Sequence, residues 1–169
     1  MHRIFLLLIL MNLTNVTFAN SLEGWPQGAK IYKKILEYAI REEKPLLVYF
    51  YTDWCPYCKR INDEYFSSSE FRALSGGMYR VQINPERSKL GQKLFEQKYK
   101  SKGYPSVYVY VPAITKKYRR SSPFLKSAHL SSAEYAKSIR EKIARDYKNR
   151  ALEYYRAKKY KKARDYLLK

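Results

Sequence analysis

The chain has 169 residues and a formal net charge of +19, from 34 Lys or Arg against 15 Asp or Glu. Less an export segment at its start, about 150 residues remain, enough for one compact domain with its own core and too few for a second. Two cysteines allow a single bridge, and two histidines, His2 and His129, leave a four-coordinate zinc site short of ligands.

Met1-His2-Arg3, the apolar stretch Ile4 to Met11 and a polar run closing on Thr17-Phe18-Ala19 follow the charged, apolar, small-residue order of a secretory signal, with cleavage expected after Ala19. The rival is an uncleaved anchor, but the apolar run is shorter than the roughly 20 residues that cross a bilayer. No later segment is apolar enough to span, and no cysteine stands at the cleavage site to carry a lipid. The expected location is therefore periplasmic or otherwise extracytoplasmic, where disulfides persist.

Leu22 to Pro26 reads as a linker, and Gly28 to Glu43 as an amphipathic helix with Ile31, Ile35, Tyr38 and Ala39 on one stripe. Lys44-Pro45 ends it. The continuous apolar and aromatic run 46–51 then predicts a central strand buried on both faces. Thr52-Asp53-Trp54 leads to Cys55 and Cys58, with a helix continuing from Lys59 to Phe66. A short helix over Glu70 to Leu74, a strand over Met78 to Ile83 and a helix within 87–100, carrying Leu90, Leu94 and Phe95, follow. After the turn Gly103-Tyr104-Pro105 comes a third strand, Ser106 to Val111, and a charged edge strand over Lys116 to Arg120. Ser131-Ser132-Ala133-Glu134 has the form of a capping box, so a helix should start there and reach at least Tyr147. This order implies an α/β domain with helices on both faces of a sheet.

The chain divides into a signal (1–19), the main domain (20–146) and a basic helical extension (147–169). In the extension, Tyr147, Ala151, Tyr154, Tyr160, Ala163 and Leu167 fall where a tetratricopeptide repeat sets its packing residues, with Lys158-Lys159 at the turn. A single repeat cannot bury its own face, and a plain amphipathic helix fits the pattern equally. Residues 116–169 hold 18 Lys or Arg against 5 Asp or Glu, a net of +13. Such a field would attract an acidic partner or an anionic membrane surface, or simply be solvated; export argues against nucleic acid as the partner.

The chemistry lies in Trp54-Cys55-Pro56-Tyr57-Cys58. A bridge between Cys55 and Cys58 closes too small a loop to constrain the unfolded chain much, so its value is chemical. Disulfide exchange needs a thiolate, and a free cysteine near pKa 8.5 is mostly protonated at neutral pH. If the helix begins near Pro56, Cys55 sits among its unpaired N–H groups, where negative charge is favoured, and Pro56 gives up an N–H that has no partner there. Lys59 and Arg60 would add positive charge. Cys55 is then the attacking, exposed sulfur and Cys58 the buried resolving one. Trp54 and Tyr57 flank them as an apolar rim for a polypeptide substrate, although core packing would equally explain Trp54.

The stretch from Lys44 to Lys59 resembles the thioredoxin superfamily, and within it the periplasmic C-terminal domain of the DsbD reductase and single-domain exported thioredoxins. Gly103-Tyr104-Pro105-Ser106 is similar to the family's Gly-x-Pro-Thr segment. The resemblance implies a thioredoxin-like fold over about residues 28–145, with a central mixed sheet. It also implies a cis Pro105 beside the cysteines, and Tyr104 and Pro105 as substrate-binding residues. The chain departs from the family at Tyr49, where a buried carboxylate is usual, and at Gln82, where a lysine is usual. The expected function is a thiol–disulfide oxidoreductase acting on protein substrates with a redox partner protein and no cofactor, first as a reductase. Oxidation or isomerisation is the alternative, as is a non-catalytic module recruiting an acidic partner.

Overall fold

The computed structural model describes residues 21–124 and 128–169. The expected signal over residues 1–19 lies outside them. Six helices, α1 (Ala29–Arg41), α2 (Pro56–Ile61), α3 (Ser69–Ser75), α4 (Lys89–Lys93), α5 (Ser132–Arg156) and α6 (Tyr160–Leu167), accompany four strands, β1 (Leu46–Phe50), β2 (Tyr79–Ile83), β3 (Ser106–Tyr110) and β4 (Arg119–Ser121). The sheet order is β2-β1-β3-β4. β1 runs parallel to β2 and antiparallel to β3, and β3 and β4 are antiparallel, so the sheet is mixed.

β1 is the central strand that its uninterrupted apolar run requires, since all five of its residues are buried. Its side chains divide by period two. Leu47 and Tyr49 face a core closed by α2, α3 and α5, while Leu46, Val48 and Phe50 face one closed by α1 and α4. Helices therefore cover both faces. In α1 the buried stripe is Ala29, Tyr32, Ile35 and Ala39. Tyr32 takes the place expected of Ile31 and Tyr38, because its hydroxyl reaches inward to Tyr99 at 3.0 Å.

Leu22 to Pro26 is not a linker. The Gln82 side-chain carbonyl accepts the Leu22 N–H at 2.8 Å, and its amide donates to the carbonyls of Leu22 at 2.6 Å and Trp25 at 3.2 Å. The Trp25 ring lies on Phe66 and Phe71, with centroids 5.1 and 6.0 Å away. Main-chain bonds from Gln82 to Pro26 and from Gly28 to Gln82 cover the free edge of β2. Gly28, with φ of 99°, makes the turn from this edge into α1.

Two expected helices are more broken than their periodicity indicates. α2 passes into a π-helical turn, Asn62–Phe66, and α4 into another, Leu94–Lys98. The edge strand shortens to β4. The Ser131 capping box forms with Glu134, and α5 runs unbroken through Tyr147 to Arg156, so the division drawn at residue 146 falls inside a helix. α6 folds back on α5 after Ala157–Lys159, and Tyr154 and Tyr166 stack at 5.5 Å. The hairpin is anchored to the domain at Glu43. Tyr147 donates to the Glu43 main-chain carbonyl at 2.9 Å, Tyr166 donates to its carboxylate at 2.7 Å, and Lys169 pairs with the same carboxylate.

Candidate active site

β1 ends at Phe50 and the chain turns through Thr52 into α2, which begins at Pro56, leaving Cys55 as the N-cap residue. An N-cap side chain meets the first unpaired N–H groups of its helix. Here that acceptor is sulfur: Cys55 Sγ receives the Cys58 N–H at 3.1 Å. The same donor would favour a Cys55 thiolate once the bridge opens. In this structure the two cysteines are joined as a disulfide, with Cα atoms 5.2 Å apart.

The two sulfurs differ less in exposure than their assigned roles suggest. Cys55 is 3% exposed and Cys58 fully buried. What stands out of the surface is the rim, since Trp54 is 67% and Tyr57 55% exposed. Core packing is therefore not the reason for Trp54. Its indole N–H lies 3.1 Å from both carboxylate oxygens of Glu86, and its ring meets Tyr104 edge-on at 6.0 Å. Tyr57 packs against Phe124 at 5.5 Å. Sequence reasoning missed Glu86 and Phe124, which reach the rim from 32 and 67 residues along the chain with no motif to mark them.

Because Phe50 pairs with Ser106 across the sheet, the Tyr104–Pro105 peptide comes beside the segment that follows β1. That peptide is cis. Tyr104 is held from behind by a stacked Phe95 at 4.8 Å. Trp54 and Tyr104 thus meet beside the cysteine pair, with Pro105 next in the chain, while Tyr57 packs on Phe124.

Lys59 and Arg60, expected to add positive charge, are each engaged in an ion pair. Lys59 pairs with Asp63 at 2.6 Å and Arg60 with Glu64 at 2.9 Å, one turn further along and in solvent. Each cation is offset by an anion, and screening weakens what remains. Asp53 is similarly engaged, accepting from Asn84 at 3.1 Å and Arg87 at 2.7 Å. The core beneath the cysteines includes Tyr49. Tyr49 donates to the Cys58 carbonyl at 3.4 Å. Burial pushes its hydroxyl far above the ordinary tyrosine range, with Tyr51 and Tyr135 adding to the effect, so Tyr49 stays protonated. Gln82, where the superfamily keeps a lysine, is occupied with the Leu22 and Trp25 main chain.

A mixed sheet flanked by helices, with a redox-active cysteine pair capping a helix beside a cis proline, defines the thioredoxin class of thiol–disulfide proteins. Residues 29–112 match the thioredoxin-like family model. Over 120 residues the chain is 27% identical to the disulfide bond reductase DsbH of Chlamydia pneumoniae, spanning 64% of this chain and 72% of the relative. The oxidised C-terminal domain of DsbD from Neisseria meningitidis shares the fold at a TM-score of 0.56 and 21% identity, over 70% of this chain and 98% of that one. A DsbH oxidoreductase does so at 0.55 and 20%, over 75% and 88%. The chain carries a domain of the thioredoxin-like family and is a thiol–disulfide oxidoreductase.

Proposed function

We propose that this oxidoreductase reduces protein disulfides in an extracytoplasmic space, after removal of residues 1–19 as a signal. The single observation that supports the catalytic assignment most is the N-cap geometry, in which Cys55 Sγ already accepts a helix N–H. The direction is supported by the likeness to a protein named as a disulfide bond reductase. No helix among the described residues is long and apolar enough to cross a membrane. Residues 20–146 carry the redox chemistry, and residues 147–169, which continue α5 without a break and turn back as α6, add a basic hairpin to the same domain.

In the reduced protein the Cys55 thiolate attacks one sulfur of a substrate disulfide lying along Trp54, Tyr57, Tyr104 and Pro105. The substrate S–S bond breaks, its other sulfur leaves as a thiolate, and a mixed disulfide remains on Cys55. The Cys58 thiol gives up its proton and attacks Cys55 Sγ. The second substrate thiolate leaves, and the Cys55–Cys58 bond forms. Two electrons pass to the substrate, and a redox partner protein with its own dithiol returns them. The test is the reduction potential of residues 20–169 in glutathione buffers, together with trapping by Cys58→Ser. A potential near about −270 mV and a Cys58→Ser mixed disulfide that Cys55→Ser cannot form are expected. A potential near about −120 mV would reverse the direction to disulfide donation.

A further inference from the structure

Eight large apolar side chains stand exposed among the described residues. Trp54 and Tyr57 belong to the redox rim. Five of the others, Leu152, Tyr155, Tyr160, Leu167 and Leu168, are gathered in the last 18 residues, on α5 and α6 and just beyond. The redox chemistry has no use for them.

The charge around them is mostly positive, with Glu153 and Asp165 the two acids among residues 152–169. Residues 154–164 contain Arg156, Lys158, Lys159, Lys161, Lys162 and Arg164 and not one acidic residue. Tyr155 and Tyr160 meet edge-on at 5.5 Å across the turn between α5 and α6, so the tip of the hairpin carries an aromatic pair within this cationic run. At the other end of α6, Leu167 lines a groove of about 600 Å³ against α5, with Arg140, Arg145, Lys148 and one acid, Glu141, around it.

The hairpin also has a defined place in the fold. Leu46 pairs with Tyr110 at one end of the sheet and Phe50 with Ser106 at the other. Asp146 accepts the Val111 N–H at 3.0 Å just past Tyr110, and Tyr147 is tied to Glu43 just before Leu46. The hairpin therefore sits at the pole of the sheet opposite the cysteines, separated from them by the length of β1, roughly 15 Å.

We propose that the tip of this hairpin docks on an anionic phospholipid surface, with Tyr155 and Tyr160 entering the headgroup layer and the neighbouring lysines on lipid phosphates. The composition fits an interfacial segment: exposed tyrosine and leucine among lysines whose stems can lie along an apolar surface while the ammonium stays in water, and excess positive charge. Exposed aliphatic side chains have a place in a lipid interface and none on a nucleic-acid backbone. An acidic protein partner would be expected to bury its anchors in a cleft, whereas the tip's own apolar side chains, Tyr155 and Tyr160, stand exposed. Docking at this pole turns the cysteine surface away from the bilayer, free to meet substrates.

The test is flotation of residues 20–169, which hold every described element, with vesicles of pure phosphatidylcholine or of equimolar phosphatidylcholine and phosphatidylglycerol at physiological ionic strength. Binding should require phosphatidylglycerol. It should fall at least about tenfold in the triple variant Lys158→Glu, Lys159→Glu, Lys161→Glu. It should also fall at least about tenfold in the double variant Tyr155→Ser, Tyr160→Ser, which keeps every charge. Both variants should keep the parent's melting temperature and rate of disulfide reduction. Equal retention on the two vesicles, or failure to bind either, overturns the proposal. So does full binding by the serine variant, which would reduce the effect to charge adsorption. Tighter binding to a single-stranded oligonucleotide or to polyglutamate than to the mixed vesicles would assign the hairpin to that partner instead.

Discussion

The Tyr49 hydroxyl donates to the main-chain carbonyl of Cys58 at 3.4 Å, on the buried side of the cysteine pair. A tyrosine raised so far by burial is a hydrogen-bond donor and not a base in the working pH range. Tyr49→Phe should therefore leave the pH midpoint of substrate reduction where it is and lower stability by no more than about 1 kcal/mol, the usual net value of one such bond. Stopped-flow reduction across pH and a thermal melt measure the two quantities. A displaced midpoint would mean that Tyr49 handles a proton after all.

Trp54 carries little packing energy, because most of its surface faces solvent. Its indole is nevertheless fixed on two sides, by Glu86 and by Tyr104. Trp54→Ala should change stability by less than about 1 kcal/mol. It should lower kcat/KM for a protein disulfide by roughly tenfold while sparing a small disulfide such as oxidised glutathione, which does not reach across the rim. Parallel kinetics with the two substrates decide it, and equal losses on both would place Trp54 in the chemistry of the sulfur and not in substrate contact.

How much of this was legible in the sequence depends on how local the signal is. β1 could be read because a strand buried on both faces has to be apolar at every position, and α2 because Pro56 suits a first turn. The capping box at Ser131 was legible for the same reason. Leu22 to Pro26 misled because Gly24 and Pro26 have loop composition, whereas its order comes from Gln82, 60 residues away from Leu22. Trp25 was the available clue, since so large an apolar ring rarely sits on a free linker. Glu86 and Phe124 join the rim through tertiary packing alone. The pairing of the two cations near Cys55 has a local cause that spacing could have exposed: Lys59 and Asp63, and Arg60 and Glu64, stand four residues apart on one helical run.

Asp146 joins the long helix to the sheet. Its carboxylate is buried, accepts the Val111 N–H at 3.0 Å and pairs with Arg119 of β4. Asp146→Ala would strand a buried donor at the end of β3 and leave a partly buried guanidinium without its anion. The expected cost is about 3 kcal/mol. Because the residue lies at the pole away from the cysteines, the folded fraction should keep its reduction potential. Urea unfolding and glutathione equilibration of the same variant separate the two effects. Asp146→Asn, which retains an acceptor for Val111, should lose less.

Glu43 makes the attachment of the hairpin sensitive to acid. The bond from Lys169 holds its carboxyl below the ordinary carboxylate range, helped by the bond from Tyr166 and opposed by burial. A depressed folded-state pKa means that the unfolded chain takes up the proton first, at about 4.3. The attachment is complete above that value and is lost as pH falls through the lowered one. Tyr166 sets a limit at the other end. Burial first, and then its bond to Glu43, push its hydroxyl up to about 12, so its contribution is complete below about 10 and fades as pH rises from there through about 12. The near-UV circular dichroism of the Tyr147, Tyr154 and Tyr166 cluster should therefore hold steady from neutral pH down to about 5 and decline below about 4. Glu43→Gln should remove that acid step while leaving the global melt near neutral pH only slightly lowered. If the step persists in Glu43→Gln, another carboxylate carries it and the anchor assigned to Glu43 is wrong.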